Sequence, residues 1–228
     1  MRQPCQLILF PGLGTDDRLF EPQKMAFPNL EVPPWIAPRS SESLSSYAQR
    51  IAPNISDNRP FVLGGMSLGG MLAWELAGLL RPDALLLIAS CRSPKAIARG
   101  LRWSSWLMRL IPALVIEGSK PLAPALAPYF SRAERYFLPW LVEMYRDTPS
   151  SFLRWGVQAA CGWEPSALDE VPVYHIHGAK DRLIVARRSG ADVLVPGAGH
   201  LLNLTHVDEV NAFIATVLEK ASALDVPV

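Results

Sequence analysis

Phe61-Val62-Leu63-Gly64-Gly65-Met66-Ser67-Leu68-Gly69-Gly70 joins an apolar run of strand length, Phe61 to Met66, to a longer run, Leu68 to Leu80, that is apolar nearly all round apart from Glu75. A short apolar run followed at once by a buried helix is the pattern of a strand and helix in a sheet covered on both faces. The junction also contains G-x-S-x-G, as Gly65-Met66-Ser67-Leu68-Gly69. A nucleophilic serine must stand clear of its own strand at a tight turn, and glycines on either side leave out the side chains that would collide there. The helix that follows points backbone N–H groups at the same spot. Ser67 is therefore the candidate nucleophile.

Outward from this junction, Gln6 to Phe10, Glu31 to Ile36, Ala84 to Ser90, Val173 to His177 and Asp192 to Pro196 read as further strands, and Val207 to Lys220 as an amphipathic helix. Thr205-His206-Val207-Asp208 resembles a capping box for that helix. Strands alternating with helices imply an α/β fold with a mostly parallel central sheet flanked by helices. The alternation stops between Ser93 and Glu170, where eight prolines and five tryptophans accompany helical spacing without strand signals. This predicts a core formed by residues 1–92 and 171–228 and a helical cap inserted as residues 93–170. Within the cap, Trp103, Leu107, Leu110, Ile111 and Leu114 share one helical face, expected to pack on the body. From Arg92 to Lys120 there are six basic residues and one acidic, Glu117.

Composition narrows the function classes. The chain has 228 residues, 50% of them hydrophobic, with 22 Lys+Arg against 21 Asp+Glu. That apolar content excludes disorder, and a net charge of +1 gives no global reason to bind nucleic acid. The longest apolar candidate for a membrane span, Leu101 to Ile116, is broken by Arg102, Arg109 and Pro112, so no stable membrane insertion is expected. The apolar run near the N-terminus is too short for a signal-peptide core. Cys5, Cys91 and Cys161 lack any CxxC spacing, which fits reduced thiols and a cytoplasmic location.

A serine nucleophile needs a base whose tautomer is held by a carboxylate. Of the four histidines, His200 ends the glycine-rich loop Gly197-Ala198-Gly199, after a strand and before the last helix, and is the candidate base. His175 and His177 lie on one face of a strand; they mimic a metal pair but have no third ligand at a recognisable spacing, so no metal is expected. His206 is read as solvated or capping. Asp181 follows the strand Val173 to His177 and is the candidate acid. Asp16 and Asp17 compete for that role but are more simply a helix start. The order Ser67, Asp181, His200 differs from the chymotrypsin and subtilisin orders.

On these residues the chain resembles the α/β-hydrolase superfamily over its whole length. The markers are Phe10-Pro11-Gly12-Leu13-Gly14, Gly65-Met66-Ser67-Leu68-Gly69-Gly70, His177-Gly178-Ala179-Lys180-Asp181 and Gly197-Ala198-Gly199-His200. The resemblance implies an α/β-hydrolase fold and an oxyanion hole made by the backbone N–H groups of Leu13 and Leu68. It implies no cofactor. Two departures stand out: Pro11 occupies the place of a frequent histidine, and Leu183 to Pro196 reads as a hairpin around Arg188-Ser189-Gly190, where a helix is usual.

The expected activity is serine hydrolysis of a carboxylic ester through an acyl-serine, on a small-molecule acyl ester. The tryptophan-rich cap suggests an apolar pocket, with Trp103, Trp106 and Leu107 as candidate substrate contacts. The first-loop and Ser67 motifs are also similar to those of thioesterases and carrier-protein methyl ester esterases, for which Arg99, Arg102 and Arg109 would dock an acyl carrier protein. A small-molecule receptor that keeps the triad without turnover is the alternative of another class.

Overall fold

The computed structural model describes residues 5–55, 60–106, 110–122 and 132–224. Six strands, β1 (Gln6–Phe10), β2 (Leu30–Glu31), β3 (Phe61–Met66), β4 (Ala84–Ile88), β5 (Val173–Gly178) and β6 (Val193–Val195), form one sheet in the order β2-β1-β3-β4-β5-β6. Every pairing is parallel. The sheet is thus the mostly parallel one expected, with β3, the strand that leads into Ser67, near its centre.

Period-two alternation sorts the strand side chains into two cores. Ile8, Phe10, Phe61 and Leu63 join one layer with helices α2 (Leu44–Ile51), α3 (Leu68–Leu80) and α8 (Ser150–Cys161), whereas Leu7, Leu9 and Val62 join the other with α10 (Leu202–Thr205) and α11 (Val207–Leu224), against which α1 (Glu21–Ala26) lies. β3 and β4 are buried at every residue, as expected for strands covered on both faces. Helix α3 ends where Arg81 takes a left-handed conformation and donates its N–H to Ala77 O, just before Pro82. Its single acid, Glu75, is 3% exposed and accepts from Trp163 Nε1 at 2.8 Å, Ser166 N at 3.0 Å and Ser166 Oγ at 2.7 Å. The one charge on an apolar helix is therefore a staple to the segment after α8.

Between β4 and β5 the described residues form helices α4 (Arg99–Ser104), α5 (Ala113–Ser119), α6 (Arg132–Arg135), α7 (Leu138–Asp147) and α8. Four of the five tryptophans divide in two groups, while Trp140 is partly buried against the layer of α10 and α11. Trp155 and Trp163 are buried in the core, and Trp155 Nε1 donates to Glu42 O at 2.7 Å. Trp103 and Trp106 are 71% and 49% exposed and meet edge to face at 6.2 Å. No helix among the described residues is long and apolar enough to cross a membrane.

Four sequence expectations change. The strand expected over residues 31–36 is only Leu30–Glu31, because Pro33 and Pro34 supply no N–H to a ladder. Leu183 to Pro196 is no hairpin: α9 (Ala186–Ser189) crosses over, closed by Gly190 at φ +77°, and β6 runs parallel to β5. The capping box does not form, since α11 begins at Val207 and Thr205 Oγ donates instead to Leu201 O, one turn back in its own helix. The common apolar face around Trp103 is also broken. α4 ends at Ser104 and Pro112 caps α5, leaving Leu110 and Leu114 at 71% and 82% exposure; Leu107 lies outside the described residues.

Candidate active site

Ser67 stands between β3 and α3 with φ +54° and ψ −119°, a backbone region that costs a non-glycine residue on the order of 1–3 kcal/mol. The surrounding hydrogen bonds hold it there. Ser67 N donates to Ile88 O at 3.1 Å; Ser67 O accepts from Gly70 N, Met71 N and Ser90 Oγ at 3.1, 3.2 and 2.8 Å. The elbow also requires backbones to touch: a Cβ on Gly69 would fall 2.1 Å from Phe10 O, and one on Gly65 would fall 2.5 Å from Gly69 C.

The first loop lies against this turn. A Cβ on Gly12 would sit 3.7 Å from Ser67 Cβ, and Gly12 O accepts from both Thr15 N and Thr15 Oγ. The side chains of Leu13 and Leu68 converge under Gly156 of α8, where an added Cβ would meet them at 2.4 and 3.1 Å. As the first residue of α3, Leu68 carries one of the N–H groups that a helix cannot satisfy internally. The two N–H groups suggested for the oxyanion thus belong to segments packed side by side at the serine.

The candidate acid and base come from the loops after β5 and β6. These loops touch so closely that a Cβ on Gly178 would lie 2.0 Å from Gly199 O, and Lys180 N donates to Ala198 O at 2.8 Å. His200 Nδ1 is 2.7 Å from Asp181 Oδ2, and Asp181 Oδ1 accepts from Leu183 N at 2.8 Å and Ile184 N at 3.0 Å. With a carboxylate at Nδ1, that nitrogen carries the proton and Nε2 keeps its lone pair, the tautomer a general base needs. Burial would raise the Asp181 carboxyl, but the His200 and His177 imidazoles outweigh it and hold the group well below the usual carboxylate range. Burial would likewise lower His200; the Asp181 charge and hydrogen bond, with the Glu134 charge behind them, bring it above 6.5. The structure joins Asp181 to His200, while no hydrogen bond links Ser67 Oγ to the pair. Such contacts commonly tighten only once substrate is bound.

The remaining sequence candidates sit as follows. Asp16 caps the 3-10 turn Asp17–Phe20 and pairs with Arg18 at 2.6 Å, which is the helix-start reading. His206 Nδ1 lies 2.9 Å from Thr205 Oγ. No group of three or more metal-ligating side chains occurs among the described residues. One residue without a signal in the sequence is Glu134 of α6. It is 2% exposed, accepts Leu201 N–H at 2.8 Å, and lies where a Cβ on Gly199 would collide with its carboxylate. Two clefts of about 900 and 310 Å³ open nearby, the first walled by Ser40 to Ser45 and Arg154, the second by Pro11, Trp35 and Phe152. Trp103 and Trp106 line neither cleft, and neither is lined by Ser67, Asp181 or His200.

Residues 6–213 match the family model described as "Alpha/beta hydrolase family". Among solved structures the chain is similar to a thermophilic esterase from Thermogutta terrifontis (TM-score 0.74, 18% identity, 95% of this chain and 90% of that one). It is also similar to an enol-lactonase from Burkholderia xenovorans LB400 (0.71, 18%, 96% and 92%) and to the type II thioesterase BorB of the borrelidin biosynthetic cluster (0.65, 22%, 96% and 94%). At these identities the likeness is one of fold. No curated protein sequence matches the chain.

Proposed function

Since the chain belongs to the alpha/beta hydrolase family, we propose that it is a serine hydrolase that cleaves a carboxylic ester through an acyl-serine intermediate, with Ser67 as nucleophile, His200 as base and Asp181 as acid. The observation that carries this reading is the 2.7 Å Asp181–His200 hydrogen bond, set at the same sheet edge as a serine held at positive φ. Ser67 Oγ attacks the acyl carbonyl carbon while His200 Nε2 takes its proton. The oxyanion is received by the N–H groups of Leu13 and Leu68, each worth on the order of 3 kcal/mol of barrier. His200 then protonates the departing alcohol as the C–O bond breaks. Water, deprotonated by the same nitrogen, releases the acid and restores Ser67.

The test is fluorophosphonate labelling combined with turnover of p-nitrophenyl esters of graded chain length. Wild-type protein is expected to label at Ser67 and turn over an ester; Ser67→Ala is expected to lose both while keeping its thermal transition. Full turnover by pure Ser67→Ala protein would refute the assignment.

A second reading, hydrolysis of a carrier-bound ester or thioester, is favoured by α4, where Arg99 and Arg102 stand exposed beside Trp103. These residues would dock an acidic carrier, and Trp103 and Trp106 would then contact carrier or acyl chain. Turnover of a carrier-bound substrate, but not of its free ester, would fall with ionic strength if this is so.

A further inference from the structure

The two histidines of β5 that the proposed reaction leaves unused form a buried chain behind the acid. Two residues apart on one strand, His175 and His177 point to the same face, and both are 0% exposed. His177 Nε2 lies 3.1 Å from Asp181 Oδ2 and 3.0 Å from Ile184 O. Both neighbours are acceptors, so a lone pair on Nε2 would face two oxygens; Nε2 therefore carries the proton, and in the neutral ring Nδ1 is bare. His177 Nδ1 is 3.3 Å from His175 Nε2, which must then be the donor. In that arrangement His175 Nδ1, a buried nitrogen, keeps its lone pair. Burial above all pushes His175 down to about 3, so that ring stays neutral near neutral pH.

We propose that His177 is a positioning residue for the Asp181–His200 pair, its Nε2–H spanning Asp181 Oδ2 and Ile184 O so that it pins the acid's turn and draws part of the carboxylate's charge away from His200. A carboxylate offers about four acceptor directions; Leu183 N, Ile184 N and His200 Nδ1 use three, and His177 covers the fourth. The other titratable and charged groups facing the network are Cys91 toward Asp181, Glu134 toward His200 and Arg92 toward His175. The Cys91 thiol, pushed up to about 12 by burial, is neutral and adds no charge. The inference rests on the reading of Asp181 and His200 as acid and base.

The test compares His177→Leu, which removes the donor, with His177→Gln, whose side-chain amide carries an N–H at the same reach. His177→Leu is expected to lower kcat for a p-nitrophenyl ester by about 10- to 100-fold, the range for a hydrogen bond to a charged group, with KM nearly unchanged. It should also move the acid limb of kcat/KM to higher pH, since the Asp181 charge then acts on His200 alone. His177→Gln should restore most of the rate and the wild-type limb. Wild-type kcat and limb in His177→Leu would overturn the proposal, as would equal slowing of both variants with an unmoved limb, which marks a purely structural role. Wild-type labelling and turnover are measured first, so loss of the hydrolase reading is seen separately. If His177→Leu does not fold, nitrogen-15 NMR of the wild type at about pH 8 decides: a protonated Nε2 and bare Nδ1 on His177 support the proposal, and a protonated Nδ1 overturns it.

Discussion

Gly69→Ala tests the geometry of the elbow against a control in the same helix. An added Cβ would stand 2.1 Å from Phe10 O, 2.4 Å from Pro11 O and 2.6 Å from Phe10 C. All three atoms are main chain, so no side chain can rotate aside, and reaching ordinary contact requires about 1 Å of movement between the first loop and α3. Overpacking of this kind costs about 1–3 kcal/mol, and at about 2–4 °C per kcal/mol for a chain of this size the thermal midpoint should drop by several degrees. Parting the first loop from α3 also separates the Leu13 and Leu68 N–H groups, and misplacement by about 1 Å costs on the order of 100-fold in rate. Gly78, on the same helix, has nothing within 4 Å of an added Cβ. Gly78→Ala should therefore stabilise by about 0.5–1 kcal/mol through helix propensity and leave turnover unchanged. Thermal unfolding and ester kinetics on the two variants decide the matter. Wild-type stability and rate in Gly69→Ala would show that the close backbone approach places neither the helix nor the oxyanion donors.

Three further outcomes are expected. His200 must be neutral to act as base, and its folded value lies above 6.5, so kcat/KM should fall as pH drops through a limb above that value. Glu134→Gln keeps an acceptor for Leu201 N–H but removes a charge that favours the imidazolium, so the limb should move to lower pH; a pH-rate profile in which it stays or rises contradicts the electrostatic role of Glu134. Glu75→Ala strands Trp163 Nε1 in a buried site and should destabilise by about 3 kcal/mol or more in denaturant titration, whereas Glu75→Gln should lose much less. Equal losses in the two variants would mean that the acceptor oxygens are not what matters at that position.

The strands β1 and β3 and the helix α3 were legible residue by residue because each is a local pattern: a short apolar run, a glycine turn, a long apolar run. The same locality made the edge strand misleading, since Glu31 to Ile36 has strand composition but Pro33 and Pro34 end the ladder. The site divides in the same way. Ser67, Asp181 and His200 could be picked out as candidates because each follows a strand at a glycine-marked turn, and a parallel sheet brings all such turns to one edge. Glu134 could not, since a lone acid among helices acquires meaning only when α6 lies against Leu201.

The amino-acid sequence by itself determined the parallel sheet, the glycine-flanked turn of Ser67 and the order in which Ser67, Asp181 and His200 follow three of its strands, because these follow from periodicity and from where glycine alone fits. Only the tertiary structure decided that Trp155 and Trp163 are core while Trp103 and Trp106 face outward. It also decided that His177 of β5 lies against the Asp181 carboxylate, 3.1 Å from Oδ2. Those outcomes depend on contacts between segments distant along the chain, whose partners neither spacing nor composition specifies.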